Sequence, residues 1–163
     1  RLMRGPARNR ISIAVLAEMV CVVLFLSGAL TLGREYVTEY QLIDRNEVQA
    51  AEYVKENAAP DATFLTSNNH NNCIAALTGR NIVCGSGSYL YFHGVDYSAQ
   101  EAALPLLYEQ PSLYFDSLAV KYHIDYVLIG SHERANYDID YDYFSQRFPV
   151  FYENDSVVIY SVD

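Results

Sequence analysis

Basic residues are scarce in this sequence once its first ten residues are passed. The chain of 163 residues carries 20 acidic residues and 11 lysines or arginines, four of which stand at its start: Arg1, Arg4, Arg8 and Arg10. An acidic surface repels phosphate backbones, and no basic stripe with interleaved aromatic residues follows. The composition therefore argues against nucleic acid as a partner.

Ligand sets for metals and local motifs for covalent catalysis are also missing. The three cysteines include no pair at zinc spacing, and no helix motif pairs two histidines. Only His93 and Asp96 have the spacing of adjacent metal ligands, which does not make a metal site but leaves both as candidate binding residues. Residues 85–88 are a Gly-Ser loop without the Lys-Ser/Thr of a P-loop, and there is no nucleophile elbow. The sequence thus predicts no catalytic residue, no metal and no cofactor.

Tryptophan is absent, whereas tyrosine occurs 15 times. A tyrosine packs an apolar ring while keeping a polar tip, which suits carbohydrate faces, partner surfaces and membrane borders. The same property suits ordinary half-buried strands. We expect most of these tyrosines to be structural.

Residues 11–32 form a long apolar run, interrupted by Ser12, Glu18, Ser27 and Thr31. At about 1.5 Å per helical residue the run can cross the roughly 30 Å of bilayer hydrocarbon. The preceding arginines favour a cytoplasmic N-terminus by the positive-inside bias. A cleaved signal peptide is the alternative, since Met3 could start translation and residues 27–29 have the small-x-small form of a cleavage site.

Glu18 lies inside this predicted transmembrane span. An ionisable side chain in hydrocarbon costs about 2.5–3.5 kcal/mol on insertion scales, and it usually faces other helices rather than lipid. Glu18 therefore indicates a helix that belongs to a bundle.

The sequence predicts four segments: a basic cytoplasmic flank at residues 1–10, a transmembrane helix at 11–32, a linker at 33–43 and an extracytoplasmic domain at 44–163. In the last segment short β-rich runs alternate with helical ones. This alternation predicts an α/β fold with a small, mostly parallel sheet and helices on both faces. Residues 149–162 predict a C-terminal antiparallel hairpin.

Capping signals place several helix ends. Asp44 and Glu47 have the spacing of a capping box, and Ser98 with Glu101 repeats it. Gly79 suits the left-handed position after a short helix, and Pro111 forces a break before a further helix. Residues 137–148 predict another helix.

Asn68, Asn69 and His70 belong to the densest polar cluster, directly after the first predicted strand. Ligands bind at the carboxyl ends of strands in open α/β sheets, and amides can both donate to and accept from sugar hydroxyls. A solvated turn is the competing interpretation. Cys73 and Cys84 could close a disulfide in an oxidising compartment, or remain two buried thiols.

The order of several short motifs resembles the C-terminal extracytoplasmic region of bacterial polytopic GT-C-like membrane glycosyltransferases, which take sugar from a polyprenyl-phosphate donor. The resemblance covers roughly residues 44–163 with the preceding helix. It is carried by residues 66–70, 77–80, Gly85, 89–90, 93–94, Tyr122, 125–127, 133–134, 148–152 and 159–160. The early loop that holds the catalytic carboxylate in such enzymes has no counterpart here.

The resemblance implies a C-terminal fragment of a cell-envelope transferase whose outer domain helps to position an acceptor or donor. Its partners would be the lipid bilayer and, through the parent protein, a polyprenyl-phosphate sugar and a glycan acceptor. A structural or acceptor-binding role would fall to Arg80, Tyr89, His93, Glu133 and Arg134. The alternative is a single-pass, membrane-anchored module that binds a sugar or a partner without catalysis.

Overall fold

The computed structural model describes residues 7–38 and 41–162, with side chains described from Ile13 onward. Residues 1–6 of the predicted basic flank and residues 39–40 of the predicted linker lie outside this description. The chain divides into two compact units, Arg1–Gln41 and Leu42–Asp163.

The first unit consists of one long helix, α1 (Ala7–Val37). Its segment Ile13–Val37 is long and apolar enough to cross a membrane, and none of it is buried within the protein. The helix continues into the first residues of the predicted linker, because Arg34 and Glu35 are good helix formers. Only seven residues, 38–44, separate α1 from the next helix.

The second unit is a mixed α/β domain. Its elements in chain order are α2 (Arg45–Asn57), β1 (Thr63–Leu65), α3 (Cys73–Thr78), β2 (Asn81–Ile82), α4 (Gly87–Phe92), α5 (Ser98–Glu109), α6 (Pro111–Tyr122), β3 (Tyr126–Ile129), α7 (Ser131–Asn136), α8 (Tyr141–Arg147), β4 (Val150–Glu153) and β5 (Val158–Ser161).

Five strands form a sheet in the order β2-β1-β3-β5-β4. β1 pairs in parallel with β2 and β3, whereas β5 pairs antiparallel with both β3 and β4. The predicted terminal hairpin is present, but the sheet is mixed rather than mostly parallel. The reason is that the hairpin docks through β5 against β3, so it contributes two antiparallel pairings.

Buried residues form two clusters, and neighbouring residues of one strand alternate between them. Phe64, Leu128 and Ile159 belong to a cluster with Ala50, Ala51 and Val54 of α2 and Ile74 of α3. Leu65, Val127 and Ile129 belong to the other, with Leu104 and Leu107 of α5, Phe115 of α6 and Phe144 of α8. Because successive side chains of a strand point to opposite faces, the two clusters occupy opposite sides of the sheet.

Several capping predictions are confirmed. Asp44 and Glu47 form a reciprocal capping box at the start of α2. Gly79 ends α3 with φ +69°, and Pro111 occupies the first turn of α6.

Two helix predictions are wrong in detail. Tyr97, not Ser98, precedes α5, and Asp96 accepts from both the backbone and the hydroxyl of Ser98. The single helix predicted at residues 137–148 is replaced by α8, which starts at Tyr141 because the carboxylate of Asp140 caps it by accepting from Tyr143 N.

The Tyr108 side chain connects the parallel neighbours β1 and β3. Its ring is fully buried, and its hydroxyl lies 3.1 Å from the Leu65 carbonyl and 2.8 Å from the Leu128 carbonyl. Tyr137 stacks on the ring with centroids 4.8 Å apart. The hydroxyl thus makes the polar contacts of a side chain whose ring is packed in the core.

We expect Tyr108→Phe to lower the free energy of unfolding by about 1–3 kcal/mol, because two buried carbonyls lose their hydroxyl partner. Urea unfolding of the chain in lipid nanodiscs, followed by near-UV circular dichroism, measures this. The matched control is Tyr89→Phe, whose ring is 60% exposed, with an expected change within about 0.5 kcal/mol. Equal stability of the two variants would contradict the assigned role of the hydroxyl.

Candidate functional site

The carboxyl ends of β1 and β3 lie side by side, because the two strands are parallel neighbours. Residues 66–72 leave β1 and residues 130–133 leave β3 at this edge. The predicted polar cluster therefore meets the loop that leads into α7. Parallel strand ends of this kind are where α/β proteins place ligand sites.

A buried carboxylate joins these two loops. Glu133 is 1% exposed, and one carboxylate oxygen accepts from Ser67 N at 2.7 Å while the other accepts from Gly130 N at 2.9 Å. The second bond also caps the start of α7. Hydrogen bonds from two backbone N–H groups compensate the burial of the carboxylate.

Gly130 packs closely against this carboxylate. A Cβ at residue 130 would lie 3.1 Å from the Glu133 oxygen that accepts from Gly130 N. A second buried carboxylate, Glu47, accepts from the Ser131 hydroxyl at 2.8 Å and from Asp44 N at 3.1 Å. The loop after β3 is thus held by acidic side chains on both sides.

The asparagine cluster is engaged with neighbouring elements. Asn68 donates to the Glu101 carboxylate at 2.9 Å, and the Asn69 amide nitrogen lies 3.2 Å from His132 Nδ1. Asn72 caps α3 by accepting from the backbone N–H groups of its first residues. These contacts connect the cluster to α3, α5 and α7.

An open cavity of about 390 Å³ adjoins Asn68 through Glu101. It is lined by Tyr91, Gly94, Val95, Asp96, Tyr97, Ser98 and Glu101. The lining combines phenol rings, two carboxylates and a hydroxyl. No basic side chain is among the described residues that line it.

Some of the predicted site residues lie at the cavity or one hydrogen bond from it, and others lie elsewhere. Asp96 lines the cavity, and Asn68 lies one hydrogen bond from it. The ring centroids of His70 and Tyr89 lie 6.2 Å apart, and neither residue is in the lining. His93 is exposed at the end of α4 and does not line the cavity.

The two predicted arginines bind backbone carbonyls elsewhere. The Arg80 guanidinium donates to the carbonyls of Lys55, Ala58 and Thr78, so it closes the end of α2. Arg134 donates to the Ser156 carbonyl in the turn of the terminal hairpin. Neither arginine lines the cavity. Arg80 stabilises the end of helix α2, and Arg134 stabilises the turn between β4 and β5.

Sequence reasoning missed Tyr91, Tyr97 and Glu101 as cavity residues. Glu101 has the spacing of a capping partner for Ser98. In the structure Ser98 N donates to the Asp96 carboxylate instead, and the Glu101 carboxylate accepts from Asn68. The spacing of Asp96 two residues before Ser98 was the available signal, because Asp commonly bonds the backbone two residues on.

Cys73 and Cys84 are both free and buried, and they belong to the two different core clusters. The structure thus corresponds to the buried-thiol alternative. Burial, reinforced by Glu47 and Glu133, raises the pKa of Cys73 to about 12. Burial and Glu101 raise the pKa of Cys84 to about 11.

The sequence matches no known family model. It also matches no curated protein. Membership of the GT-C-like glycosyltransferases is therefore a proposal.

Glu133→Gln is expected to lower the free energy of unfolding by about 1–3 kcal/mol, because an amide nitrogen would face one of two buried N–H donors. Thermal unfolding of the chain in nanodiscs measures this. The matched control is Glu56→Gln on the exposed side of α2, with a change within about 0.5 kcal/mol. A stable Glu133→Gln variant would show that the carboxylate does not hold the two loops.

Native Cys73 and Cys84 are expected to resist thiol reagents. With pKa values of about 12 and about 11, at most about one thiol in 10³ is ionised near pH 8, and the thiolate is the reactive form. In a Cys21→Ser chain, dithionitrobenzoate should label neither residue before unfolding and both after it. Rapid labelling of the folded chain, or its absence in denaturant, would contradict two buried free thiols.

Proposed function

We propose that this chain is the membrane-anchored C-terminal part of a glycosyltransferase-like protein, and that its α/β domain binds a neutral saccharide acceptor in the cavity beside Asn68. Tyrosine rings can cover sugar faces, while carboxylates and amides bond hydroxyls. The observation that carries the proposal is a cavity that presents Tyr91, Asp96, Tyr97 and Glu101 together.

The charge of the cavity favours an acceptor over a phosphorylated donor. Asp96 and Glu101 both line it, and no arginine or lysine is among its described lining residues. Phosphate recognition in proteins generally uses cations or helix N-termini, so two carboxylates oppose it. The groups that carry out sugar transfer would then belong to another part of the parent protein.

Membrane anchoring is supported by α1, which is long and apolar enough to cross a bilayer. The arginines before it favour a cytoplasmic N-terminus, which would place the α/β domain outside the cytoplasm. Glu18, on an α1 surface shared with Val15, Met19 and Val22, would face other helices of the parent protein. We further infer that helices cover both faces of the sheet, since two core clusters with separate helices flank it.

Saturation-transfer NMR on the full chain in lipid nanodiscs tests saccharide binding, because glycoside detergents would compete for the site. We expect glucose or N-acetylglucosamine oligosaccharides to bind, and glucuronate or glucose 1-phosphate to bind at least about tenfold more weakly, a difference of roughly 1.4 kcal/mol. Failure of every neutral saccharide to bind would overturn the proposal.

Variants locate the site within the domain. Glu101→Gln should weaken binding about tenfold, since a hydrogen bond to a charged group contributes roughly 1.5–3 kcal/mol. Tyr91→Ala should weaken binding by a similar factor, because it removes a ring that would cover a sugar face. The matched controls, Glu109→Gln and Tyr114→Ala, lie outside the cavity lining and should leave binding unchanged. Equal effects of site and control variants would place the saccharide elsewhere.

A further inference from the structure

Helix α4 and the turn after it carry an exposed aromatic surface, defined as Tyr89, Tyr91, Phe92 and Val95. Their exposed fractions are 60%, 71%, 84% and 50%. No residue of α4 is fully buried. Large side chains grouped in this way on a soluble surface mark an interaction site, whereas scattered ones do not.

The fold presents this surface in a defined geometry. Leu90 packs against the core from the inner side of α4, and Val95 N donates to the Leu90 carbonyl at 2.9 Å, which closes the turn. Gly94 supplies the positive φ of +70° that the turn requires. The rings of Tyr91 and Phe92 meet edge to face at 5.7 Å. The surface is therefore a built part of the domain.

Charge distinguishes this surface from the rest of the chain. The formal net charge is -9, yet no formally charged residue occurs between Arg80 and Asp96. The four residues of the aromatic surface therefore bring no ionised group of their own against lipid, and ionised groups are the most costly to desolvate. Asp96 and Glu101 share the cavity lining with Tyr91 and Val95, so a lipid contact has to leave the cavity side in water.

We propose that the aromatic surface docks on the outer surface of the bilayer that holds α1, with Phe92 and Tyr89 at the level of the lipid headgroups and Tyr91 at the edge shared with the cavity. The inference rests on the membrane anchoring proposed above. Aromatic residues concentrate at membrane interfaces because their rings suit a boundary that is apolar on one side and wet on the other.

The short connection to α1 selects the bilayer as the occupant. The seven residues 38–44 reach at most about 23–25 Å when fully extended. A domain of this size has a radius of gyration near 14 Å, so its diameter exceeds that tether. The bilayer surface is consequently always within reach of the domain, whereas a protein partner must arrive by diffusion.

Because the sequence contains no tryptophan, a single introduced tryptophan reports on one chosen position. Phe92→Trp, in the full chain, creates a sole tryptophan reporter on the aromatic surface. The chain is reconstituted in phosphatidylcholine vesicles with and without brominated acyl chains, which quench tryptophan on contact. We expect Phe92→Trp emission to be shifted to the blue and to lose intensity in the brominated vesicles, and Tyr89→Trp to behave in the same way.

Two further reporters make the outcomes separable. Leu113→Trp lies at the start of α6 with 73% exposure, at the end of α5 opposite to Ser98, and should stay unquenched. Leu26→Trp reports on α1 and should be quenched.

Quenching at positions 26, 92 and 89 but not 113 supports the docking. Quenching at 26 without quenching at 92 or 89 overturns the docking and leaves the anchor intact. Equal quenching at 92 and 113 also overturns it, because the contact would then not be specific to this surface. An unquenched reporter at position 26 overturns the anchor and the docking together.

Discussion

The two hydrogen bonds accepted by the Glu133 carboxylate fix the relation between the strand ends on which the site is built. One comes from Ser67 N after β1 and the other from Gly130 N after β3. Residue 133 is thereby tied to a loop 66 residues earlier in the chain. The orientation of the loop that carries Asn68, and of the Asn68–Glu101 contact beside the cavity, depends on this pair of bonds.

Local chemistry could be predicted from the sequence, whereas burial could not. Asp44 and Glu47 cap α2, Gly79 ends α3 and the terminal hairpin forms, because each depends on residues a few positions apart. Glu133 was identified only through the family resemblance, since nothing in its neighbours reveals that it accepts bonds from Ser67 N. Glu101 was assigned to the wrong partner for the same reason. The sheet is mixed because β5 docks beside β3, a long-range pairing without a local signal.

Acidic residues have two separate uses in this domain. Glu47 and Glu133 are buried, and hydrogen-bond donors on the loops satisfy them. Asp96 and Glu101 are exposed and line the cavity. Asp96 also accepts hydrogen bonds from Ser98, and Glu101 accepts one from Asn68. The first pair stabilises the loops, and the second gives the cavity a negative character that, under the proposed function, would disfavour anionic ligands.

The brief connection between α1 and α2 changes the affinity that the domain would need. If α1 spans a bilayer as proposed, a ligand displayed at that bilayer surface would meet the tethered domain at an effective concentration in the millimolar range, which is typical of short flexible linkers. A site with millimolar affinity in free solution would then be substantially occupied. Under the proposed function, the open cavity beside Asn68 would then need only weak and rapidly reversible binding.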